Sequence, residues 1–497
     1  MNGEPILAIA DVAGKRRPAA DGFIRLPVTS AQWSGLARGC AGGRQDLSAL
    51  WVDEPRVLMA LIGRDRSSRA IVALDLVDGA YPSVGQYHAP AIRLERAIRD
   101  LHGVTAANQP DTRRWLDHGR WPHREGGGTA YEFLPVEGEG THQIPVGPVH
   151  AGIIEPGHFR FTVNGETVVR LEQRLGYVHK GVEALVAGKS PTDAARVVAR
   201  ISGDSTVAYS LAFARAVEAA CGTKVPQRAI LLRAIMAELE RVAHHINDFG
   251  AICNDASVVA IHAHCTLLRE KVLTTCADTF GHRLMMDRII PGGVASDLGA
   301  DAAGAIRSLV DHCEYELRRA VSVYDEMPSI LDRTVTTGCV APALAIRFAA
   351  GGYVGRACGR DFDSRRDAAY PPYDDLDFSV PLRSEGDVNA RAWIRIDEVG
   401  QSIAMLRQML GRLEPGPVRA DIAAGKPGEG AALAEAFRGD VFVAVRIDAD
   451  GNIARCHARD ASWFQWPLLE AAIEGNIVAD FPLCNKSFNC SYSGHDL

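Results

Sequence analysis

The sequence lacks paired cysteines. Its eleven cysteines stand at 40, 221, 253, 265, 276, 313, 339, 358, 456, 484 and 490. None form CxxC, and none has the spacing of a zinc site. That scatter predicts reduced, mostly buried thiols. No apolar run reaches the roughly 18 to 20 residues that a membrane helix needs. Positive charge is not in excess either. The formal net charge is -7, which argues against a nucleic-acid partner held through phosphates. No GxGxxG follows a strand-like run, so no dinucleotide site is predicted and NAD would act elsewhere. The start, MNGEPILAIADVAGKRRPAADG, places basic residues after the apolar run and has no cleavage site. It is not a secretory signal. The expectation is a peripheral protein with no transmembrane segment, on the cytoplasmic face of a membrane and attached through partners.

What is there is 497 residues with 47% hydrophobic and 23% charged side chains, enough for two or more globular domains. Residues 1–120 read as a small α/β domain. RVLMALIG (56–63) and RAIVALDLV (69–77) are apolar enough for strands. Ile92, Leu94, Ile98 and Leu101 make one apolar helical face. Residues 121–145 are rich in glycine and charge and read as a linker. Residues 146–497 read as a larger, mostly α-helical bundle, opened by one β-hairpin and closed by another. The fold class is therefore α+β.

The chain is organised around 147–209. A Gly-Pro turn carries His150, and His158 follows. The runs FRFTV and TVVRLEQ flank Asn164-Gly165, a two-residue hairpin signal. Helices are predicted to start at Pro191, to end at Gly222, and to run through QRAILLRAIMAELERVAHHINDFGAIC. On this last helix Glu238, Arg241 and His245 sit at neighbour spacing. The bland reading is an ion-paired face. The sharper one is a buried set that stores or passes protons. A second hairpin is predicted at 435–463, turning at Asp450-Gly451.

GPVH, RFTVNGETV and GYVHKGVE, taken together, resemble the 49-kDa-type subunit of respiratory complex I and the large subunit of group 4 membrane-bound nickel–iron hydrogenases. The resemblance continues through ELERVAHH, through Arg283 with Pro291-Gly292-Gly293, and through 332–403, where Asp363, Arg365 and Asp387 match. Ile290 stands where the family has an arginine. The N-terminal part is similar to the 30-kDa-type domain of complex I, on Pro82, Ser83, Glu95, Arg96, Asp100, Leu101, Gly103, Pro110, Asp111 and Arg113.

Such hydrogenases hold nickel and iron with four thiolates, given by RxCGxC and DPCxxC. Here the first region reads Arg200-Ile-Ser202-Gly-Asp204-Ser205. Matched on its glycine, Ser202 and Ser205 replace both thiols; matched on Ala208-Tyr209, Val198 and Ile201 do. In the last region Ser491 and Gly494 occupy the ligand positions, with Cys484, Cys490 and His495 nearby. Serine hydroxyls are poor nickel ligands, so no nickel–iron centre and no metal is expected, and no cofactor held by this chain alone. The resemblance implies a complex I-like cavity for quinone or another acceptor, with His150, His158 and Asp204 as its candidate catalytic groups. Glu238, Arg241, His245, Asp363, Arg365 and Asp387 form its candidate polar network. It also implies a small iron–sulfur protein (20-kDa-like) bringing a 4Fe-4S cluster to 200–205, and membrane subunits like those of complex I and antiporters. A non-catalytic scaffold between those partners is the alternative, and an active hydrogenase the third reading.

Overall fold

The structure is a computed structural model, and it describes residues 6–121, 131–150, 154–299, 301–422 and 427–497. The N-terminal part carries helices α1 (Ile9–Ala13), α2 (Ser30–Ala41) and α3 (Ile92–His102). Strands β1 (Ile24–Pro27), β2 (Gln45–Asp53), β3 (Arg56–Gly63) and β4 (Arg69–Asp75) form a sheet in the order β1-β4-β3-β2. Only β1 runs parallel to its neighbour. A small parallel pair, β5 (Ala80–Pro82) and β6 (Thr105–Ala107), flanks α3. Gly103 ends α3 in the left-handed conformation, which a residue without Cβ adopts freely.

Most of the linker predicted at 121–145 lies outside the described residues. Its end does not: Thr141–Val146 is strand β7, paired with β8 (His158–Asn164), which pairs in turn with β9 (Thr167–Arg174). The predicted hairpin is thus a three-stranded sheet. Its turn residues are Gly165 and Glu166, one place later than the Asn-Gly signal suggested, because Asn164 still pairs with Thr167. Only Gly165 has a positive φ there, as a turn with glycine first requires.

The helical body follows: α4 (Val182–Val186), α5 (Pro191–Val198), α6 (Thr206–Cys221), α7 (Gln227–Asp255) and α8 (Val259–Phe280). Ser190 caps α5 by accepting from the Asp193 N–H, and Pro191 needs no partner at the first position. A two-residue strand pair, β10 (Ile289–Ile290) and β11 (Gly293–Val294), precedes α9 (Ala302–Asp325), α10 (Pro328–Thr334), α11 (Pro342–Arg347), α12 (Gly352–Ala357), α13 (Ser364–Asp367) and α14 (Val388–Gly411). The long α7 is buried on nearly all sides, by α8 and α14 among others, which explains why its sequence shows no clean apolar stripe.

The C-terminal hairpin is also larger than predicted. Strand β12 (Gly428–Ala436) pairs with β13 (Gly439–Ile447), and β13 with β14 (Ile453–Arg459), the last turn passing through Asp450 and Gly451. Helices α15 (Ser462–Ala472), α16 (Phe481–Phe488) and α17 (Tyr492–Asp496) complete the chain. This sheet faces the N-terminal sheet. Trp51, Leu58 and Ile71 pack with Leu433, Phe442 and Ala444 in one core. Four arginines tie the two parts: Arg446 to Asp53 (2.6 Å), Arg360 to Asp46 (2.7 Å), Arg459 to the Ser48 carbonyl (2.7 Å) and Arg93 to Glu470 (2.6 Å). Among the described residues no helix is long and apolar enough to cross a membrane.

Candidate functional site

The start of α6 and the start of α17 lie in contact. Ser202 Oγ donates to Asp204 Oδ1 (2.7 Å) and lies 2.9 Å from Ser491 Oγ. With its one proton engaged, Ser202 accepts from Ser491, which in turn accepts from the Gly494 N–H (2.9 Å). The chain of donors therefore runs Gly494, Ser491, Ser202, Asp204. Ser205 stands 3.4 Å from Arg438 Nη1. The glycine-anchored match thus puts its serines in this cluster, whereas Val198 belongs to the hydrophobic core. A side chain at Gly494 would meet Asp460 Oδ2 at 2.6 Å.

Asp204 is clamped by Arg438, with contacts of 2.6 and 2.9 Å. Burial works to raise its carboxyl, but the Arg438 charge and hydrogen bonds win and hold it well below the usual range. It is an ionised anchor rather than a proton donor. Further buried titratable groups lie just behind. Glu240 accepts from the Val207 and Ala208 N–H groups (2.8 and 3.1 Å), and burial pushes its carboxyl up to about 8. His244 stacks on Phe437, and burial lowers it to about 4 against the pull of Asp204. Tyr209 donates to Asp460 (2.6 Å).

Of the two hairpin histidines, His150 is the nearer. Its ring lies 6.4 Å from that of Tyr492, the neighbour of Ser491, and its buried Nε2 has no hydrogen-bond partner among the described residues. Burial holds it below the usual histidine range. His158 is placed elsewhere. It lies between Phe133 and Arg160 and shares a hydrogen bond with the Gly147 carbonyl (3.3 Å).

The polar network assembles around α7. Glu238 takes Arg365 (3.0 Å), Arg241 (3.3 Å), the Tyr373 hydroxyl (2.7 Å) and the Ser402 hydroxyl (2.6 Å). Arg365 also holds Asp363 (2.7 Å). His245 meets Glu398 Oε2 (2.7 Å), which Arg241 also approaches (3.7 Å). Arg356, which the sequence reading did not single out, joins Glu398 (2.7 Å), Glu435 (3.0 Å) and Asp363 (3.4 Å). Every one of these charged side chains is buried. Burial opposes ionisation of Glu398 and Asp363, yet the arginines outweigh it and hold both low. Glu435 is the exception, pushed up by burial and by Asp363 to about 7. Asp387 is not part of this set. It caps α14 through the Ala390 N–H (2.7 Å) and accepts from Thr336 N–H (2.7 Å).

The donor chemistry does not fit a nickel–iron centre. The four ligand positions offer three hydroxyls and a glycine, where soft thiolates are required. Cys484 is pushed up to about 11 by burial, and burial raises Cys490 further still. His495 has one nitrogen on Asp496 (2.8 Å) and receives the Trp115 N–H on the other (3.2 Å). Among the described residues no three His, Cys, Asp or Glu side chains are placed to hold a metal.

Glu240, Arg438 and Asp460 were missed from sequence for a common reason. Glu240 is two residues from Glu238, so the helix sends the two to different faces. Arg438 and Asp460 act through partners more than 200 residues away.

Comparison with known proteins gives the same frame. Residues 255–427 match the model of the respiratory-chain NADH dehydrogenase 49 Kd subunit, and 180–253 that of nickel-dependent hydrogenase. Formate hydrogenlyase subunit 5 of Escherichia coli is 30% identical over 86% of this chain and 78% of its own length. A match that long has to extend into the N-terminal part. The carbon monoxide-induced hydrogenase of Rhodospirillum rubrum is 31% identical over 70% of this chain and 97% of its own. An NADH-quinone oxidoreductase subunit of Roseiflexus is 31% identical over 68% of this chain and 94% of its own. Among solved structures, a chain of the membrane-bound sulfane sulfur reductase, an archaeal respiratory membrane complex, is matched over its whole length and 73% of this chain, with a TM-score of 0.68 and 25% identity. The chain belongs to the family of complex I 49-kDa-type subunits and group 4 hydrogenase large subunits.

Proposed function

We propose that this chain is the redox-cavity subunit of a complex I-like membrane oxidoreductase complex, working without a nickel–iron centre. Electrons arrive from a 4Fe-4S cluster in an iron–sulfur protein that docks on 200–205. They reduce quinone or another two-electron acceptor beside the Ser202–Asp204–Arg438 cluster. Membrane subunits hold the assembly at the cytoplasmic face of the inner membrane.

The observation that supports this reading is the density of buried charge behind the serines. Burying so many carboxylates and guanidiniums without water is expensive, and well-packed apolar side chains usually do as well or better for stability. Proton delivery gives such a network a use. Reduction of an acceptor needs protons as well as electrons, and Glu240 and Glu435, held near 8 and 7, change protonation close to neutral pH. Arg438 keeps Asp204 ionised, and the Asp204 charge in turn works to raise Glu240 and His244.

One observation favours the scaffold reading instead: Ser202 and Ser491 satisfy each other directly. The two readings part in the purified complex. His150→Ala and Glu240→Gln should each lower electron transfer to quinone by about tenfold or more, with the assembled complex otherwise unchanged. Unaltered rates in both variants would hand the case to the scaffold.

A further inference from the structure

A polar cavity opens away from the serine cluster, where the N-terminal part meets the ends of α6 and α7. It has a volume of about 500 Å³. Arg69, from β4, and Arg215, from α6, both line it. Arg215 lies over the Tyr370 ring at 3.8 Å and donates to the Leu433 carbonyl. Arg69 lies over Phe23 and donates to the Ala368 carbonyl (3.3 Å), and its buried Nε has no partner. Among the described residues neither arginine has a carboxylate within ion-pair distance.

The acids at this cavity are already committed. Glu218 is paired with Arg233 (2.5 and 3.0 Å) and accepts from the Gly292 N–H (2.7 Å). Asp21 is paired with Arg25 (2.5 Å) and accepts from the N–H groups of Phe23 and Ala431. The buried Thr223 hydroxyl, also on the wall, has no hydrogen-bond partner among the described residues. Lys224 is exposed beside it. Gly22 lets Arg69 come close: a Cβ there would stand 2.5 Å from Nη2.

Two partly buried like charges whose nearest carboxylates, Asp21 and Glu218, are already paired with Arg25 and Arg233 gain from a further negative group. Burial lowers the proton affinity of both guanidiniums; Asp21 opposes it at Arg69, and Tyr370 and Glu218 oppose it at Arg215, where the charge of Arg69 works with burial. Two guanidiniums and a hydroxyl on the walls of one cavity are donors of the kind that hold phosphate oxygens. We propose that this cavity is an anion site, in which Arg69, Arg215 and Thr223 hold the phosphate of a phosphomonoester. Bound there, the ligand joins the N-terminal part to the helical body. It also adds negative charge next to Tyr373, whose hydroxyl contacts Glu238.

The phosphate has two sources, a soluble metabolite or a lipid headgroup, and one experiment separates them. The full chain is titrated calorimetrically with glycerol 3-phosphate, and floated with phosphatidylcholine vesicles with and without phosphatidic acid. Saturable one-site binding is expected. Arg69→Gln should weaken it by roughly tenfold to a hundredfold, the loss of one charge-assisted hydrogen-bond set. Thr223→Val should weaken it by about three- to tenfold. Binding of the free ester without flotation assigns a soluble ligand; flotation abolished by Arg69→Gln assigns a headgroup. Circular dichroism and a melting curve check the fold of each variant. If Arg69→Gln does not fold, the exposed Lys224→Gln takes its place, with an expected loss of about two- to threefold and a shallower salt dependence. The proposal is overturned if neither probe binds saturably, or if affinity is the same in the folded variants.

Discussion

The serine cluster and the α7 network are neighbours built on opposite rules. Around Ser202 and Ser491 most contacts are between neutral groups, and a single ion pair, Asp204 with Arg438, closes the edge. Asp204 keeps 35% of its side chain exposed. Around Glu238 and Glu398 arginines meet carboxylates directly, with the Tyr373 and Ser402 hydroxyls filling in, and those charged side chains are buried. The first region tolerates loss of a partner because hydroxyls re-pair. The second does not, because any removed charge strands another. On the proposed reading, the positions matched to the family's ligands carry neutral groups while arginines and carboxylates pair behind them. That difference in rigidity is what a change of redox centre without loss of fold would require.

The sharpest test of the contrast removes Arg356. Arg356→Met leaves Glu398, Glu435 and Asp363 short of a cation in a dry interior, and should lower stability by about 3–5 kcal/mol in urea unfolding. A loss under about 1 kcal/mol would mean that the network is wetter and looser than drawn.

The next test uses pH. Glu240 binds its proton up to about 8 in the folded chain, against an ordinary value near 4.5. The folded state thus holds more protons than the unfolded one between those values. Stability from this group is complete below about pH 4.5 and drains away as pH rises toward 8. Each unit of rise removes up to about 1.4 kcal/mol. Glu398 and Asp363, held low, behave in reverse: their contribution is present above the ordinary carboxylate range and is lost on acidification. Glu240→Gln should therefore flatten the alkaline fall between pH 6 and 8 and leave the acid limb alone. Parallel curves for variant and parent would refute the assignment.

The smallest effect belongs to the serines. Ser202→Ala leaves Asp204 with Arg438 and Ser491 with the Gly494 N–H, so about 1 kcal/mol should be lost. A loss above about 3 kcal/mol would show that this cluster is as brittle as its neighbour, and the contrast would fail.

Much of the framework was legible in the sequence. Strand β3 and helices α5, α6 and α7 fall where apolar periodicity and their proline and glycine ends place them. Strand β12 was not legible. GEGAALAEA is alanine-rich and lacks β-branched residues, yet its small residues are what let it lie on α6: a Cβ at Gly430 would meet the Ala216 carbonyl at 2.0 Å. Strand β7 hid inside a stretch read as linker, because its pairing with β8 is invisible to local pattern. The ligand-position serines came from the resemblance, and their contact across 289 residues only from the fold. His158 shows the limit of proximity in sequence. Strand alternation points it to the opposite face of its sheet from Phe159, which packs with His150.

The arginine ties between the two facing sheets carry a consequence for handling the protein. Asp53, Asp46 and Ser48 grip the C-terminal half through contacts independent of the peptide that joins the halves. A protease that nicks the chain near 121–145 should yield two fragments that still migrate as one species until salt or denaturant prises the sheets apart.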